Sequence, residues 1–187
     1  SMSFIASDRT PAVWRGPMAS GALQQLLTQT DWQAVDVLVV DMPPGTGDIQ
    51  LTMAQNVPLS GAVIVTTPQD IALLDARKGI EMFRKVEVPL LGIVENMSTH
   101  VCRECGHHEA IFGEGGGDAI AAEYGVQMLG RLPLSMDIRQ QADGGQPPLV
   151  ADPSGDTSQL FRAMAREILV AIDNNVDAGP VIQIIED

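Results

Sequence analysis

The sequence predicts an α/β fold in which a mostly parallel sheet lies between two layers of helices. Three observations support this prediction. Apolar, β-branched runs recur along the chain without clean alternation, stretches with helical spacing fall between them, and 45% of the residues are hydrophobic against 19% charged. At 187 residues the chain fits one domain. We interpret residues 1–3 as a tag remnant and residues 175–187 as a tail that is either an added edge strand or a disordered end.

The predicted strands are rich in Val, Ile and Leu. Their lack of a polar face is typical of strands that are buried on both sides in a parallel sheet. Three runs form the framework and a shorter one is a fourth candidate: Val35–Asp41, Gly61–Thr67, Pro89–Glu95 and Met128–Leu132.

The predicted helices lie between and beyond these runs. Asp70 and Asp156 are expected to be the N-caps of two of them, because a short carboxylate accepts a hydrogen bond from a free N–H of the first turn. Residues 143–155 are rich in Gly, Pro and Asp and predict a loop. The apolar spacing places helices over Ser20–Gln29, Ile71–Val86, Gly117–Tyr124 and Thr157–Ile172.

The charge of the chain argues against nucleic acid as a partner. The formal net charge is -13, and the only lysines are Lys78 and Lys85, so no basic cluster is available for a phosphate backbone. No segment has the roughly 18 continuous apolar residues of a membrane span, and we expect no membrane partner. Two cysteines three positions apart, without a secretion signal, favour the cytoplasm and a metal or redox role.

A Pro/Gly-rich turn follows the first predicted strand in the segment Asp41-Met-Pro-Pro-Gly45-Thr-Gly-Asp48. A carboxylate at the carboxyl end of a parallel strand faces the crevice in which α/β folds bind ligands, and there it can hold a magnesium-bound water. Gly45 would let the backbone approach a phosphate closely. The alternative is a strand that ends in a capping Asp, and the attached turn favours the ligand interpretation.

Cys102-Arg-Glu-Cys105 presents two thiols on one side of a turn, with Gly106 behind them. Iron–sulfur clusters and structural zinc usually take four ligands, and the chain has only two cysteines. Either histidines 100, 107 or 108 complete a zinc site, or a second protomer supplies a second pair. A disulfide or a thioredoxin-like site is the weaker interpretation, since the loop is very short and no helix N-terminus follows to activate a thiol.

Asn96 follows the third predicted strand and can pair a donor and an acceptor with adenine, although an Asn that closes a turn explains it equally well. The sequence resembles the Mrp/ApbC branch of the ParA/MinD-like deviant-Walker ATPases from about Val13 to Ile172. The segments that carry the resemblance, in chain order, are Trp14–Met18, Asp41–Asp48, Thr67–Asp70, Val94–Ser98, Cys102–Cys105, Ile111–Gly113 and Gly130–Pro133.

The resemblance implies a P-loop NTPase-like fold of the SIMIBI type and an ATP-dependent iron–sulfur carrier. It implies that Asp41, Gly45, Asn96 and the backbone at Pro133 bind nucleotide and magnesium. Cys102 and Cys105 would bridge a 4Fe–4S cluster across a homodimer that works with iron–sulfur scaffold and acceptor apoproteins. We assign no catalytic residue.

One part of the family pattern is missing from this sequence. The only glycine cluster, Gly113-Glu-Gly-Gly-Gly117, lacks the Gly-Lys-Ser/Thr ending of a P-loop. We therefore expect the chain to correspond to the C-terminal portion of such a protein and to lack ATP turnover on its own. A ParA/MinD-like partitioning ATPase and a non-catalytic zinc-stabilised module are the two alternative functions, and the acidic charge disfavours the first.

Overall fold

The computed structural model describes residues 16–42, 45 and 47–176. The chain divides between Pro58 and Leu59 into two compact units, and each is described by itself. The single-domain organisation expected from the sequence stays a prediction. The interpreted tag at residues 1–3 lies outside the described residues. Of the predicted tail at residues 175–187, Asn175 and Val176 end the last helix, and the rest lies outside the described residues.

The unit before Pro58 contains two helices among its described residues, α1 (Gly16–Thr28) and α2 (Asp48–Asn56). The helix predicted from Ser20 is confirmed as α1, and the sequence did not indicate α2. The indole Nε1–H of Trp32 donates to the carbonyl of Leu27 at 2.8 Å, which fixes the turn after α1. α2 begins immediately after the Pro/Gly-rich turn.

The strand predicted at Val35–Asp41 is wrong. The structure assigns no strand to these residues, and their apolar side chains are exposed, with Val39 at 86%, except for the half-buried Val40. A strand exists only through hydrogen bonds to a neighbouring strand. Within the described part of residues 1–58 no strand is present to supply them, so the apolar pattern alone does not produce one.

The unit from Leu59 contains the sheet. Strands β1, β2 and β5 form a parallel sheet in the order β1-β2-β5, with Ile64 paired to Ile93 and Ile93 to Met128, while β3 and β4 form an antiparallel hairpin. Its elements are β1 (Ala62–Thr66), α3 (Asp70–Lys85), β2 (Leu90–Glu95), β3 (His100–Val101), β4 (His108–Glu109), α4 (Gly116–Tyr124), β5 (Met128–Arg131), α5 (Met136–Asp143), α6 (Pro148–Ala151) and α7 (Asp156–Val176).

The sheet has a helical layer on each face. Neighbouring residues of β2 point to opposite faces: Ile93 packs with α3 and α4, and Val94 packs with α7. The first cluster consists of Ile64, Leu73, Ala76, Ile80, Ile93, Ile120 and Ala121, and the second of Val94, Leu129, Leu132 and Met164. The predicted three-layer α/β architecture is confirmed in this unit.

Two details of the helices differ from the prediction. Asp70 and Asp156 are the first residues of α3 and α7 and not their N-caps, and Gln69 is the N-cap of α3. A carboxylate in the first turn still stabilises the helix through the macrodipole, so the sequence signal is the same for both positions. Part of the predicted loop at residues 143–155 forms α6. None of the described helices is long and apolar enough to cross a membrane.

Candidate functional site

The cysteine pair lies in the turn of a small hairpin. We call residues 100–109 the cysteine hairpin: β3 and β4 pair His100 with Glu109 and Val101 with His108. The N–H of Cys102 donates to the carbonyl of His107 at 2.9 Å, and the N–H of Gly106 donates to the carbonyl of Cys102 at 2.9 Å. Gly106 has φ +69°, a left-handed conformation that favours glycine. The turn thus holds both thiols on one short, closed loop.

Both cysteines are free thiols, with Cys102 partly exposed and Cys105 exposed. The pKa of the Cys102 thiol is lowered, chiefly because the backbone N–H of Cys105 donates to its sulfur, with further hydrogen bonds from the Glu104 N–H and the Cys105 thiol. N–H donors around a sulfur stabilise the thiolate, which is the form that binds metal. The turn therefore favours the thiolate form of Cys102.

The three histidines do not complete this site in the structure. The ring Nδ1 of His100 lies 3.2 Å from the carbonyl of Leu134, which accepts when that nitrogen carries the proton, and His107 and His108 are exposed. The described residues contain no group of three or more His, Cys, Asp or Glu side chains placed to hold a metal. The zinc site completed by histidines gains no support from this geometry.

The cysteine hairpin is attached to the loop after β5. The N–H of Ser98 donates to the carbonyl of Leu132 at 3.0 Å, and the N–H of Leu134 donates to the carbonyl of Thr99 at 2.9 Å. These bonds extend the pairing of β2 with β5 beyond the ends of the strands. Arg103, between the two cysteines, forms an ion pair with Asp137 in α5. The hairpin is therefore anchored on one side of the sheet's carboxyl edge.

Two of the predicted nucleotide residues lie at this same edge. Asn96 directly follows β2, and Pro133 lies in the loop after β5 that pairs with residues 95–99. The N–H of Asn96 donates to the carbonyl of Thr66 at 2.7 Å, and its Oδ1 accepts from the N–H of Met97 at 2.9 Å. Asn96 thus closes a turn, and this bond leaves the Nδ2 donors to other partners.

Asp41 and Gly45 belong to the first unit. Both are exposed, and Gly45 has φ +101°, with no atom of the described residues within 4 Å of the point that a Cβ would occupy. Pro43, Pro44 and Thr46 lie outside the described residues, as do Trp14 and Arg15. Because residues 35–41 form no strand, Asp41 is not placed at the carboxyl end of one, and its role at a magnesium ion stays a prediction.

Sequence reasoning missed Glu95, the last residue of β2. It is only 2% exposed, and its carboxyl Oε2 accepts from the N–H of Gly117 at 2.7 Å. A methyl group added at Gly117 would lie 2.9 Å from that oxygen and 2.7 Å from Met128 Cε. The glycine cluster before α4 therefore permits close packing onto Glu95. The only sequence signal was an acidic residue that ends an otherwise apolar run.

Comparison with known proteins decides the family. The family described as ParA: NUBPL iron-transfer P-loop NTPase matches residues 1–169. The chain belongs to this family. Among the curated relatives, the iron-sulfur cluster carrier protein of Pseudomonas fragi is 62% identical over 165 residues, which are 88% of this chain and 58% of that protein. The chain thus spans little more than half the length of this relative.

Two solved structures support the fold. The nucleotide-binding protein of Archaeoglobus fulgidus, in complex with ADP, is 34% identical to this chain. Its TM-score is 0.65, and the match covers 76% of this chain and 57% of that one. The cell division ATPase MinD of Pyrococcus furiosus is 20% identical, with a TM-score of 0.60 over 83% and 59% of the two chains. The MinD likeness shows the fold alone.

Proposed function

We propose that this chain is the cluster-binding part of an iron–sulfur carrier, and that Cys102 and Cys105 hold the cluster as cargo. The observation that carries the proposal is the turn itself. It presents two free thiols together, and N–H groups of Cys105 and Glu104 donate to the Cys102 sulfur. Hydrogen bonds to the ligand sulfurs are a general feature of iron–sulfur sites.

A second copy of the chain supplies the remaining ligands. A four-iron cluster takes four thiolates, and one chain contributes two. The described residues add no third side chain to the pair. A two-fold axis through the cluster gives each protomer the same role, which is the usual geometry of a homodimer. We therefore propose one 4Fe–4S cluster per dimer.

Exposure of the site favours transfer. Cys105 is exposed, and the rest of the turn from Arg103 to His107 is exposed as well. A cluster held at such a surface is accessible to the thiols of another protein, and ligand exchange proceeds by attack of a free thiolate. The partners that this chemistry fits are iron–sulfur scaffold proteins as donors and acceptor apoproteins as recipients.

In the full-length protein we propose ATP and magnesium as cofactors. Asn96 Nδ2 and the backbone at Pro133 would contact the adenine, since both lie at the carboxyl edge of the sheet, where α/β folds bind ligands. Asp41 would hold a magnesium-bound water, and the exposed backbone at Gly45 would approach a phosphate. The A. fulgidus relative that binds ADP supports a nucleotide site.

Anaerobic reconstitution with iron and sulfide tests the cluster site. We expect the wild-type chain to gain the cluster's visible absorbance and to pass it to an apo-ferredoxin. Cys102→Ala removes two of the four ligands of the shared site, so we expect binding to be abolished. His107→Asn with His108→Asn is the matched control and should retain the absorbance. Unchanged absorbance in Cys102→Ala would contradict the proposal.

ATP hydrolysis provides a separate test. The sequence contains no Gly-Lys-Ser/Thr loop, so nothing in it forms the cradle of lysine and amides that neutralises the phosphates. We expect no magnesium-dependent turnover by this chain alone. Turnover that purifies with the chain and disappears in Asp41→Ala would show that the expectation is wrong and would assign Asp41 a catalytic role.

A further inference from the structure

We propose that Glu95 is a positioning residue for the cysteine pair, because it holds both ends of the segment that carries the cysteine hairpin. The chain leaves the sheet at Glu95, forms the hairpin and returns at the start of α4. We call residues 96–99 the outgoing root and residues 110–117 the returning root. The inference rests on the proposed metal site at Cys102 and Cys105 and adds a residue that lies outside the cysteine hairpin.

The backbone of Glu95 fixes the outgoing root. Its carbonyl accepts from the N–H of Leu132 at 2.9 Å, and this bond begins the series that continues through Ser98 and Thr99 to the loop after β5. On the β1 side, the N–H of Asn96 donates to the carbonyl of Thr66 at 2.7 Å. The outgoing root is thus held between the ends of β1 and β5.

The side chain of Glu95 fixes the returning root. Its Oε2 accepts from the N–H of Gly117 at 2.7 Å, in the first turn of α4. The N-terminus of a helix favours a carboxylate in this position. Between β4 and this bond, the N–H of Gly113 donates to the carbonyl of Ala110 at 3.1 Å and tightens the connection. One residue therefore ties together the two points between which the hairpin extends.

The packing leaves the Glu95 carboxyl little freedom. The residue is 2% exposed, and Gly117 admits no side chain without a contact of 2.9 Å to the carboxyl oxygen. A buried carboxyl and a buried N–H are costly to leave without partners. The bond is therefore well determined, and its loss would let the returning root move relative to the outgoing one. The turn with both thiols would then be less well preorganised for a shared metal.

Titration with Co²⁺ alone tests the effect on the metal site, since thiolate coordination gives a charge-transfer absorbance. Residues that position metal ligands typically alter affinity by about 10–100-fold. We expect Glu95→Ala to weaken Co²⁺ binding about 10-fold. Glu95→Gln keeps an oxygen that accepts from Gly117 and should bind as the wild type does. Glu95→Asp has a side chain that is one methylene shorter and should also bind Co²⁺ more weakly than the wild type. It takes the place of Glu95→Ala if that variant does not fold.

Ser158→Ala is the matched control. Ser158 is 1% exposed, and its hydroxyl donates to the carbonyl of Asp152 at 2.6 Å, so the variant also loses a buried side-chain hydrogen bond to the backbone, but between α6 and α7. We expect it to reduce stability while its Co²⁺ affinity stays at the wild-type value. A loss of affinity in Ser158→Ala equal to that in Glu95→Ala would reduce Glu95 to a stabilising residue and overturn the proposal.

Hydrogen exchange of the metal-free chain separates this inference from the proposed function. We expect the amides of Cys102 and Gly106 to exchange about 10-fold faster in Glu95→Ala and at the wild-type rate in Ser158→Ala. Unchanged exchange at both amides in Glu95→Ala overturns the positioning role, whatever the metal result. Co²⁺ absorbance that persists in Cys102→Ala contradicts the thiolate site instead, and the exchange rates still decide whether Glu95 holds the hairpin.

Discussion

Two segments of similar sequence adopt different structures in this molecule. Val35–Asp41 and Leu90–Glu95 are both apolar runs that end in an acidic residue and precede a turn. Leu90–Glu95 is the central strand β2, with Ile93 fully buried and Val94 at 6% exposure. Val35–Asp41 forms no strand, and Val35 and Val39 are 51% and 86% exposed.

The difference lies in the neighbours and not in the residues themselves. β2 has β1 on one side and β5 on the other, so its backbone groups are paired and its side chains meet α3, α4 and α7. Among the described residues of its own unit, the Val35–Asp41 segment has no strand beside it. Apolar composition indicates which segments can be buried, and pairing decides which of them are.

The largest effect expected from this contrast comes from truncating one side chain in each segment. Ile93→Ala removes a fully buried side chain from the core formed with Ile64, Ile80 and Ile120, and should lower the free energy of unfolding by about 2–5 kcal/mol. Val39→Ala changes an exposed side chain and should alter it by less than about 0.5 kcal/mol. Urea denaturation measures both. Comparable losses would show that Val39 is buried in solution.

The same substitution at two glycines should give opposite signs. Gly92, in β2, has φ +148°, and an added methyl group would lie 2.6 Å from the carbonyl of Gln127, so Gly92→Ala should destabilise by about 1–3 kcal/mol. Gly21, inside α1, has no atom of the described residues outside its own helix backbone within 4 Å of that position, so Gly21→Ala should stabilise by up to about 1 kcal/mol. Thermal unfolding of the two variants separates them, and a stabilised Gly92→Ala would contradict the packing of β2.

A smaller effect is expected at the ion pair beside the cysteine pair. Arg103 and Asp137 have side chains that are 55% and 62% exposed, so Arg103→Ala should cost at most about 1 kcal/mol. Backbone pairing, by this account, contributes more to holding the hairpin than this surface contact does. Denaturation at low and high salt measures the effect, which should diminish as salt screens the charges. A large, salt-independent loss would assign Arg103 a packing role instead.

The mildest test concerns the pH at which Cys102 becomes reactive. Its pKa is lowered mainly by the Cys105 backbone N–H, a bond that Cys105→Ser retains. In that variant the alkylation rate of Cys102 should rise at a lower pH in the folded chain than in urea. The pKa of Cys102 is lower in the folded chain than in the unfolded chain. The hydrogen bonds to its sulfur therefore stabilise the folded turn at pH values above the unfolded pKa, and this stabilisation is lost as the pH falls through the folded pKa. Identical pH profiles would contradict the hydrogen bonds to this sulfur.

Much of the fold could be predicted because burial on both faces leaves a clear pattern. β1, β2, β5, α3 and α4 all appear within one residue of their predicted bounds. The pattern was misleading at Val35–Asp41, where it could not report the absence of a partner strand. Short elements such as α2 and the strands of the cysteine hairpin depend on contacts from elsewhere in the chain, and their sequences carry no periodicity strong enough to detect.

The candidate site was predictable where chemistry is local. The spacing of Cys102 and Cys105 fits a metal site without any tertiary information, and the structure places both in one turn. Glu95 was not predictable, because its function depends on Gly117, 22 residues further along the chain. Asn96 remained ambiguous for a different reason: both interpretations place it directly after a strand, and the bond that its Oδ1 accepts from the neighbouring Met97 N–H is visible only in the structure.

The central claim is that two copies of this chain share one cluster through their cysteine pairs, and native mass spectrometry of the anaerobically reconstituted protein tests it directly. We predict a species with the mass of two chains and a single 4Fe–4S cluster, which is absent in Cys102→Ala and unchanged when His107 and His108 are replaced. A monomer with one tightly bound zinc ion that is lost on replacing either of these histidines would contradict the account.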